Sequence, residues 1–474
     1  MHKNSKPNPA EVLNNAVTPD NINWVTENTA MLIVHGIGNQ LPIETLDHFA
    51  RGFVKRYRKA YGEDISLSHE VVTKTGDNGV WFDNVLRIHY EGSKHFIDIY
   101  EYYWANYTED KASWSDLNKW LQGVVNGAEK FYKRNGQIGK QYKDKSPFFD
   151  TRTGDFKVGI YRLFISVVSK IFLAVDLLWR LIIWLVSLIP FLGKLADSML
   201  QSYADGVVHD LTNILADVAV YNVVDPKSKF YDVRRRIQDG AVKALTYLIE
   251  RPAYSGFDIK EFTNKCKENK LYKNKREQDE LDQEFERELK KQELYYPSVI
   301  IAGHSLGSQV AYDAINKLNL LVNMGGLLNY NENGKCKFKN GNAIENQLRG
   351  FITFGCPLDK IVFFLRENAP DDEYLRQQIL DNYHGFKQRP LDFDNNEQTN
   401  KQYVEVSCGL KKVLDNIPWR NYYDNKDYVS GGLDYYTGLT NIDCRFKAGT
   451  FGFTHGNYWN CDGFYADIIY HYLT

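Results

Sequence analysis

Apolar residues along this chain fall into short dense runs, each closed by a glycine-containing turn. Ala30 to Val34 is one run, Val299 to Ala302 a second and Phe351 to Phe354 a third. Continuous β-prone runs of this length predict strands buried on both faces, as in a largely parallel sheet. They place strands at about 29–35, 297–302 and 351–355, with a further strand over Trp419 to Asp424. Val80 to Tyr90 and Lys94 to Trp104 read as a hairpin turned at Glu91, Gly92 and Ser93. Helical spacing lies between them. Leu46, Phe49, Phe53, Tyr57 and Tyr61 share one face of a helix over 43–61. Two helical patterns over 205–249 are split at Asp225 and Pro226, another helix opens at Ser308, and a terminal one covers Phe464 to Leu473. Alternating strands and helices predict an α/β fold, a mostly parallel central sheet flanked by helices. Residues 1–27 read as a loose lead-in, the charged run Lys265 to Lys291 as a solvated helix, and Glu367 to Lys401 as a surface excursion.

The tract from Val158 to Leu200 has a different pattern. No residue from Leu181 to Gly193 is charged, yet that stretch is short for a spanning helix. At about 100° per residue, Arg162, Ser166, Ser169, Lys170, Asp176, Arg180, Ser187 and Lys194 gather on one side of a helical wheel. Most of the remainder is Leu, Ile, Val, Phe and Trp, although Leu173, Leu177, Trp184, Leu188 and Phe191 break the polar stripe. Three readings fit this pattern: a cap or lid helix packed on the core, an in-plane membrane helix, or a spanning or re-entrant segment whose polar stripe is buried in an oligomer.

Composition excludes several classes. Over 474 residues the net charge is -2, which leaves no nucleic-acid footprint. Six cysteines without C-x-x-C or metal-ligand spacing read as free thiols, and neither a metal nor an organic cofactor is implied. The N-terminus is polar, without the apolar core of a signal peptide, so the expectation is a cytoplasmic chain with peripheral membrane association as its extension.

The chemistry concentrates at Gly303-His304-Ser305-Leu306-Gly307. A buried strand before it and a helix after it make this a nucleophile elbow, in which a serine sits on a strained turn between small neighbours. Two backbone N–H groups are needed to hold an oxyanion. Leu306, which follows the serine, supplies one. Ile37 or Gly38, in the loop His35-Gly36-Ile37-Gly38 after the first strand, supplies the other. The order nucleophile, acid, histidine then assigns Ser305 as nucleophile, Asp427 as the acid and His455 as general base and acid, with Asp424 as the rival acid. His455 is expected within hydrogen-bond reach of both Ser305 and Asp427. His35 reads as a loop anchor, and His304 as a neighbour whose chemistry the reaction does not need.

Taken with Phe351-Ile352-Thr353-Phe354-Gly355-Cys356-Pro357, Asp427-Tyr428-Val429 and His455-Gly456, these motifs resemble the lipase and esterase branch of the α/β-hydrolase superfamily. Cys356 stands where that branch often has serine after the strand, and Tyr428 where it often has proline after the acid. The resemblance covers 28–100 and 205–474 in pieces and leaves 105–200 aside. It implies an α/β-hydrolase core over 28–104 and 205–474, with a helical apolar insertion at 105–204 that is either a lid or membrane-associating. The implied activity is cleavage of carboxylic esters, of lipids or phospholipids, through an acyl-enzyme. The partners implied are an ester substrate and a membrane surface met through about 158–200. Acyl transfer by the same triad, or a non-catalytic membrane-associated interaction protein on this fold, are the alternatives.

Overall fold

The structure, a computed structural model, describes residues 10–13, 18–37, 41–71, 84–108, 125–130, 132–133, 140, 148–163, 165–167, 170, 220–222, 228–250, 295–324, 328–330, 336–338, 341–359, 375, 379, 385–388, 409–427, 429–446 and 454–474. Its centre is a nine-stranded sheet. The strands are β1 (Ala10–Val12), β2 (Thr29–Val34), β3 (Ile65–Val71), β4 (Asn84–Tyr90), β5 (Phe96–Tyr102), β6 (Ser298–His304), β9 (Leu348–Phe354), β10 (Trp419–Tyr423) and β11 (Thr440–Asp443). They lie in the order β1-β11-β10-β9-β6-β2-β5-β4-β3. Only β4 runs against the others. β7 (Leu328–Tyr330) and β8 (Cys336–Phe338) form a separate antiparallel ribbon.

Alternation along the strands divides the core into two layers. Met31 and Ile33 of β2, Ile300 and Ala302 of β6, and Ile352 and Phe354 of β9 pack on one face. There they meet Leu46, Phe49 and Phe53 of α1 (Glu44–Tyr61) and Phe464 and Ile468 of α5 (Asp462–Tyr472). Ala30, Leu32 and Val34 of β2 and Val299 and Ile301 of β6 turn to the other face. They meet Ile237, Ala241 and Leu245 of α2 (Tyr231–Glu250) and Val310, Ala311 and Ile315 of α3 (Gly307–Asn323). A short α4 (Gly341–Gln347) leads into β9. Both faces are covered, which is why β2 and β6 carry unbroken apolar runs.

Topology selects one place in this sheet. After β2 the chain moves toward the β3 edge, and after β6 it moves toward the β11 edge. The strand order therefore reverses between β2 and β6, and in open α/β sheets the crevice beyond the C-terminal ends of such strands is where ligands bind. The His35-Gly36 loop and Ser305 occupy those two strand ends.

Several expectations meet the structure in altered form. The lead-in is not loose over 10–13 and 18–27. Ala10 to Val12 pair in parallel with Asn441 to Asp443, and Leu13, Ile22, Trp24 and Val25 are buried. Burial of these apolar side chains fastens a segment whose polar neighbours conceal it in the sequence. No pattern in the sequence predicts β3 or β11. β3 exposes Leu67 and interleaves serine and histidine, while β11 is only four residues long. Of the apolar tract, 158–163, 165–167 and 170 are helical, and 171–200 lies outside the described residues. So do 265–291, nearly all of 367–401 and most of the first helical pattern of 205–249. Among the described residues, no helix is long and apolar enough to cross a membrane.

Candidate active site

β6 delivers Ser305 into a turn that is unusual for an L-residue. Ser305 has φ 51°, in the left-handed region, which costs roughly 1–2 kcal/mol for a residue with a Cβ. The surroundings hold it there. Its N–H donates to the Phe354 carbonyl at 3.0 Å, and the Ser308 hydroxyl donates back to the Gly303 carbonyl at 2.8 Å. A Cβ at Gly307 would run into the carbonyl oxygens of Val34 and His35, so α3 can approach β2 only through a glycine. Leu306, fully buried, leads directly into α3.

His35 is the anchor that the sequence suggested. Its Nε2 accepts the Trp104 backbone N–H at 2.8 Å, so the ring proton sits on Nδ1, which donates to the Gly36 carbonyl at 2.7 Å. The indole N–H of Trp104 donates to the His35 carbonyl at 3.0 Å, and the two rings stack. Burial pushes the His35 imidazole down to about 4, which keeps it neutral. This anchoring presses the loop on the elbow. A Cβ added to Gly36 would lie 2.8 Å from the Ser305 Cβ. Ile37, one of the two candidate oxyanion donors, follows at once, while Gly38 lies outside the described residues.

The acid and the histidine come together. His455 Nδ1 donates to Asp427 Oδ2 at 2.8 Å. The same oxygen accepts the Ser430 hydroxyl at 2.7 Å and the Tyr458 hydroxyl at 3.1 Å, and Oδ1 accepts the Val429 N–H at 2.9 Å. Burial alone would raise the Asp427 carboxyl, but the His455 contact and these donors hold it well below the usual carboxylate range. In the neutral ring, an acceptor-only carboxylate facing Nδ1 places the single proton there and makes Nε2 the acceptor, the tautomer that a general base requires.

Asp424 is committed elsewhere. It accepts the N–H groups of Lys426 and Phe446 and the Thr454 hydroxyl, tying the end of β10 to the segment that leads into His455. Its role is to support the histidine loop.

Ser305 and His455 flank the same piece of chain rather than meeting. The Ser305 N–H reaches Phe354, and a Cβ on the next residue, Gly355, would lie 2.9 Å from His455 Cε1. The Ser305 hydroxyl is buried and has no hydrogen-bond partner among the described residues, so the expected Ser305–His455 bond is not formed. Nucleophile–base bonds in ligand-free enzymes are often long and close only around substrate.

Three further residues surround the pair with little signal in the sequence. Ser430 and Tyr458 each follow a triad candidate by three places and close the shell around Asp427. His304 is buried with its ring centroid 5.1 Å from that of His455 and 4.8 Å from that of Trp459. Desolvation first, and the neighbouring His455 second, hold it well below the ordinary histidine range. A neutral imidazole therefore lies beneath the catalytic candidate, at the variable position of the elbow motif.

No family model, no curated protein and no solved structure matches this chain.

Proposed function

We propose that this chain is a serine hydrolase of the α/β-hydrolase type that cleaves carboxylic esters, those of lipids in particular. One observation carries the reading. Ser305 holds a strained left-handed backbone at a strand–helix turn, and a hydrogen-bonded Asp427–His455 pair borders the same strand end. Strained backbone held by its surroundings clusters at functional sites. The placement at the strand-order reversal and the glycine-tight contact with the β2 loop support the same site.

The chemistry follows from the roles of the side chains. As substrate enters, Nε2 of His455 takes the Ser305 hydroxyl proton while Oγ bonds to the acyl carbon. Asp427 holds Nδ1–H and stabilises the imidazolium that results. The oxyanion is received by the Leu306 N–H and by Ile37 or Gly38. Collapse breaks the ester bond, and His455 returns its proton to the leaving alcohol. Water, deprotonated by His455, then attacks the acyl-enzyme and restores Ser305.

The lipid substrate rests on the apolar tract. Its described part exposes Ile160, Leu163 and Val167, spaced three and four residues apart on one helical stripe, with Arg162 and Lys170 close by. A basic helix with an apolar stripe suits an anionic lipid surface.

The test is labelling by a fluorophosphonate, followed by a panel of short-chain, long-chain and phospholipid esters. Wild type should label and hydrolyse. Ser305→Ala should lose both, with turnover down by roughly 10⁴- to 10⁶-fold and the fold retained. Labelling that survives in Ser305→Ala would refute the assignment.

A further inference from the structure

His304 is the last residue of β6 and immediately precedes Ser305. It is in register with Phe354 of β9 and continues the alternation of Ile300 and Ala302, so its ring turns to the face covered by α1 and α5. Three other segments of the chain meet on that ring. From the end of β9, Phe354 packs on it with centroids 5.0 Å apart. From the histidine loop come Trp459 at 4.8 Å and His455 at 5.1 Å, the planes of the two imidazoles inclined by 31°. From the β2 loop comes Gly36, where a Cβ would lie 3.3 Å from His304 Nδ1. Packing sets the position of this ring, because it is buried and its Nε2 has no hydrogen-bond partner. Trp459 is wedged in turn against His48 and Phe49 of α1.

The two imidazoles close on one glycine. A Cβ at Gly355 would lie 2.9 Å from His455 Cε1 and 3.4 Å from His304 Cδ2. His455 is otherwise held by Asp427 at Nδ1. A single hydrogen bond at one nitrogen fixes a point of the ring and leaves its plane free to turn about that point. A second ring packed alongside removes this freedom. We propose that His304 is a positioning residue for His455: its ring is the wall that stops the His455 imidazole from turning about the Asp427 bond, so that Nε2 closes on Ser305 when substrate enters. This inference rests on the serine-hydrolase reading of the site.

Such a wall has to stay uncharged. His455 becomes a cation when it takes the serine proton, and a second cation with its ring 5.1 Å away would oppose that step. Desolvation, and then the neighbouring His455, keep the His304 imidazole neutral. His304 therefore supplies shape and takes no proton.

The experiment compares wild type, His304→Ala and His304→Phe. Activity on a soluble short-chain ester is expressed as kcat per fluorophosphonate-titrated site, and proton NMR follows the low-field signal of the Asp427–His455 hydrogen bond. His304→Ala removes the wall. Its kcat should fall about 10- to 100-fold with KM little changed, because a misplaced base acts on the transition state, and the low-field signal should broaden or move. His304→Phe restores a flat ring, so most of the kcat and the signal should return. Lost packing alone would lower the melting temperature of His304→Ala without lowering kcat per titrated site. Should His304→Ala fail to fold, His304→Leu, which keeps apolar volume without a flat ring, is read in the same way. A kcat within twofold of wild type, an unchanged low-field signal, or a His304→Phe protein as impaired as His304→Ala overturns the proposal. A wild type that neither labels nor hydrolyses refutes the serine-hydrolase reading instead, and the low-field signal then still decides whether His304 positions His455.

Discussion

Asp427 and His455 are joined by a 2.8 Å hydrogen bond across 28 residues of chain, while Asp424, at the end of β10, makes no such bond. The difference arises at the turn after β10. The Asp427 N–H donates to the Asp424 carbonyl at 3.0 Å, so the chain reverses at once and Asp427 is brought round to the histidine. Asp424 is left inside the turn, accepting backbone donors.

The two aspartates should therefore separate on mutation. Asp427→Asn should lower kcat by about 10⁴-fold with the fold intact, because an amide donor opposite Nδ1 favours the wrong imidazole tautomer. Asp424→Asn should act mainly on stability, by about 1–3 kcal/mol, through its buried backbone donors. Steady-state kinetics beside thermal melting distinguishes them. Equal kinetic losses would show that both carboxylates serve the histidine.

Stability should depend on pH in opposite senses at two carboxylates. Asp427 is held below its ordinary 3.8, so its contribution is present above that value and is lost as pH falls through the lowered folded value. Glu101 is raised from 4.5 to about 7, so the fold binds its proton more tightly than the unfolded chain does, and stability falls as pH rises between those values. Melting curves from pH 3 to 8 should show Asp427→Asn flattening the acid side and Glu101→Gln flattening the fall from about 4.5 to 7. Curves that match wild type would remove either group from this account.

Gly36→Ala tests the contact between the β2 loop and the elbow. The added methyl would lie 2.8 Å from the Ser305 Cβ and 3.3 Å from His304 Nδ1, so the loop must withdraw from Ser305. The expected cost is about 1–3 kcal/mol in stability and up to about 100-fold in kcat. Wild-type kcat in a folded Gly36→Ala protein would show that the loop has no part in catalysis.

The apolar tract is tested on lipid. Replacing Leu181, Ile182 and Leu185 with serine should weaken sedimentation with anionic liposomes and turnover of long-chain esters, while short soluble esters are still cleaved. Equal loss on both substrates would make the tract a structural element, and unchanged lipid turnover would remove it from the function.

Much of this was legible in the sequence because it is local. The elbow is written in Gly303 and Gly307, where contacts with Ser308 and with the Val34 and His35 carbonyls admit no Cβ. The central strands are written as apolar runs because β2, β6 and β9 are covered on both sides. β3 could not be read this way, since its serines, histidine and exposed Leu67 blur the pattern at the sheet edge.

Residue type and spacing by themselves determined the α/β plan, the elbow that holds the candidate nucleophile and the anchoring role of His35, since steric fit and hydrophobic periodicity act between near neighbours in the chain. Only the tertiary structure decided that Asp427 meets His455, that Ser430 and Tyr458 close around it, that Ser305 stands apart from His455, and that Glu101 caps α1. These relations depend on which strands are neighbours and on where each turn points, so residues far apart in the chain become partners only once the sheet is assembled.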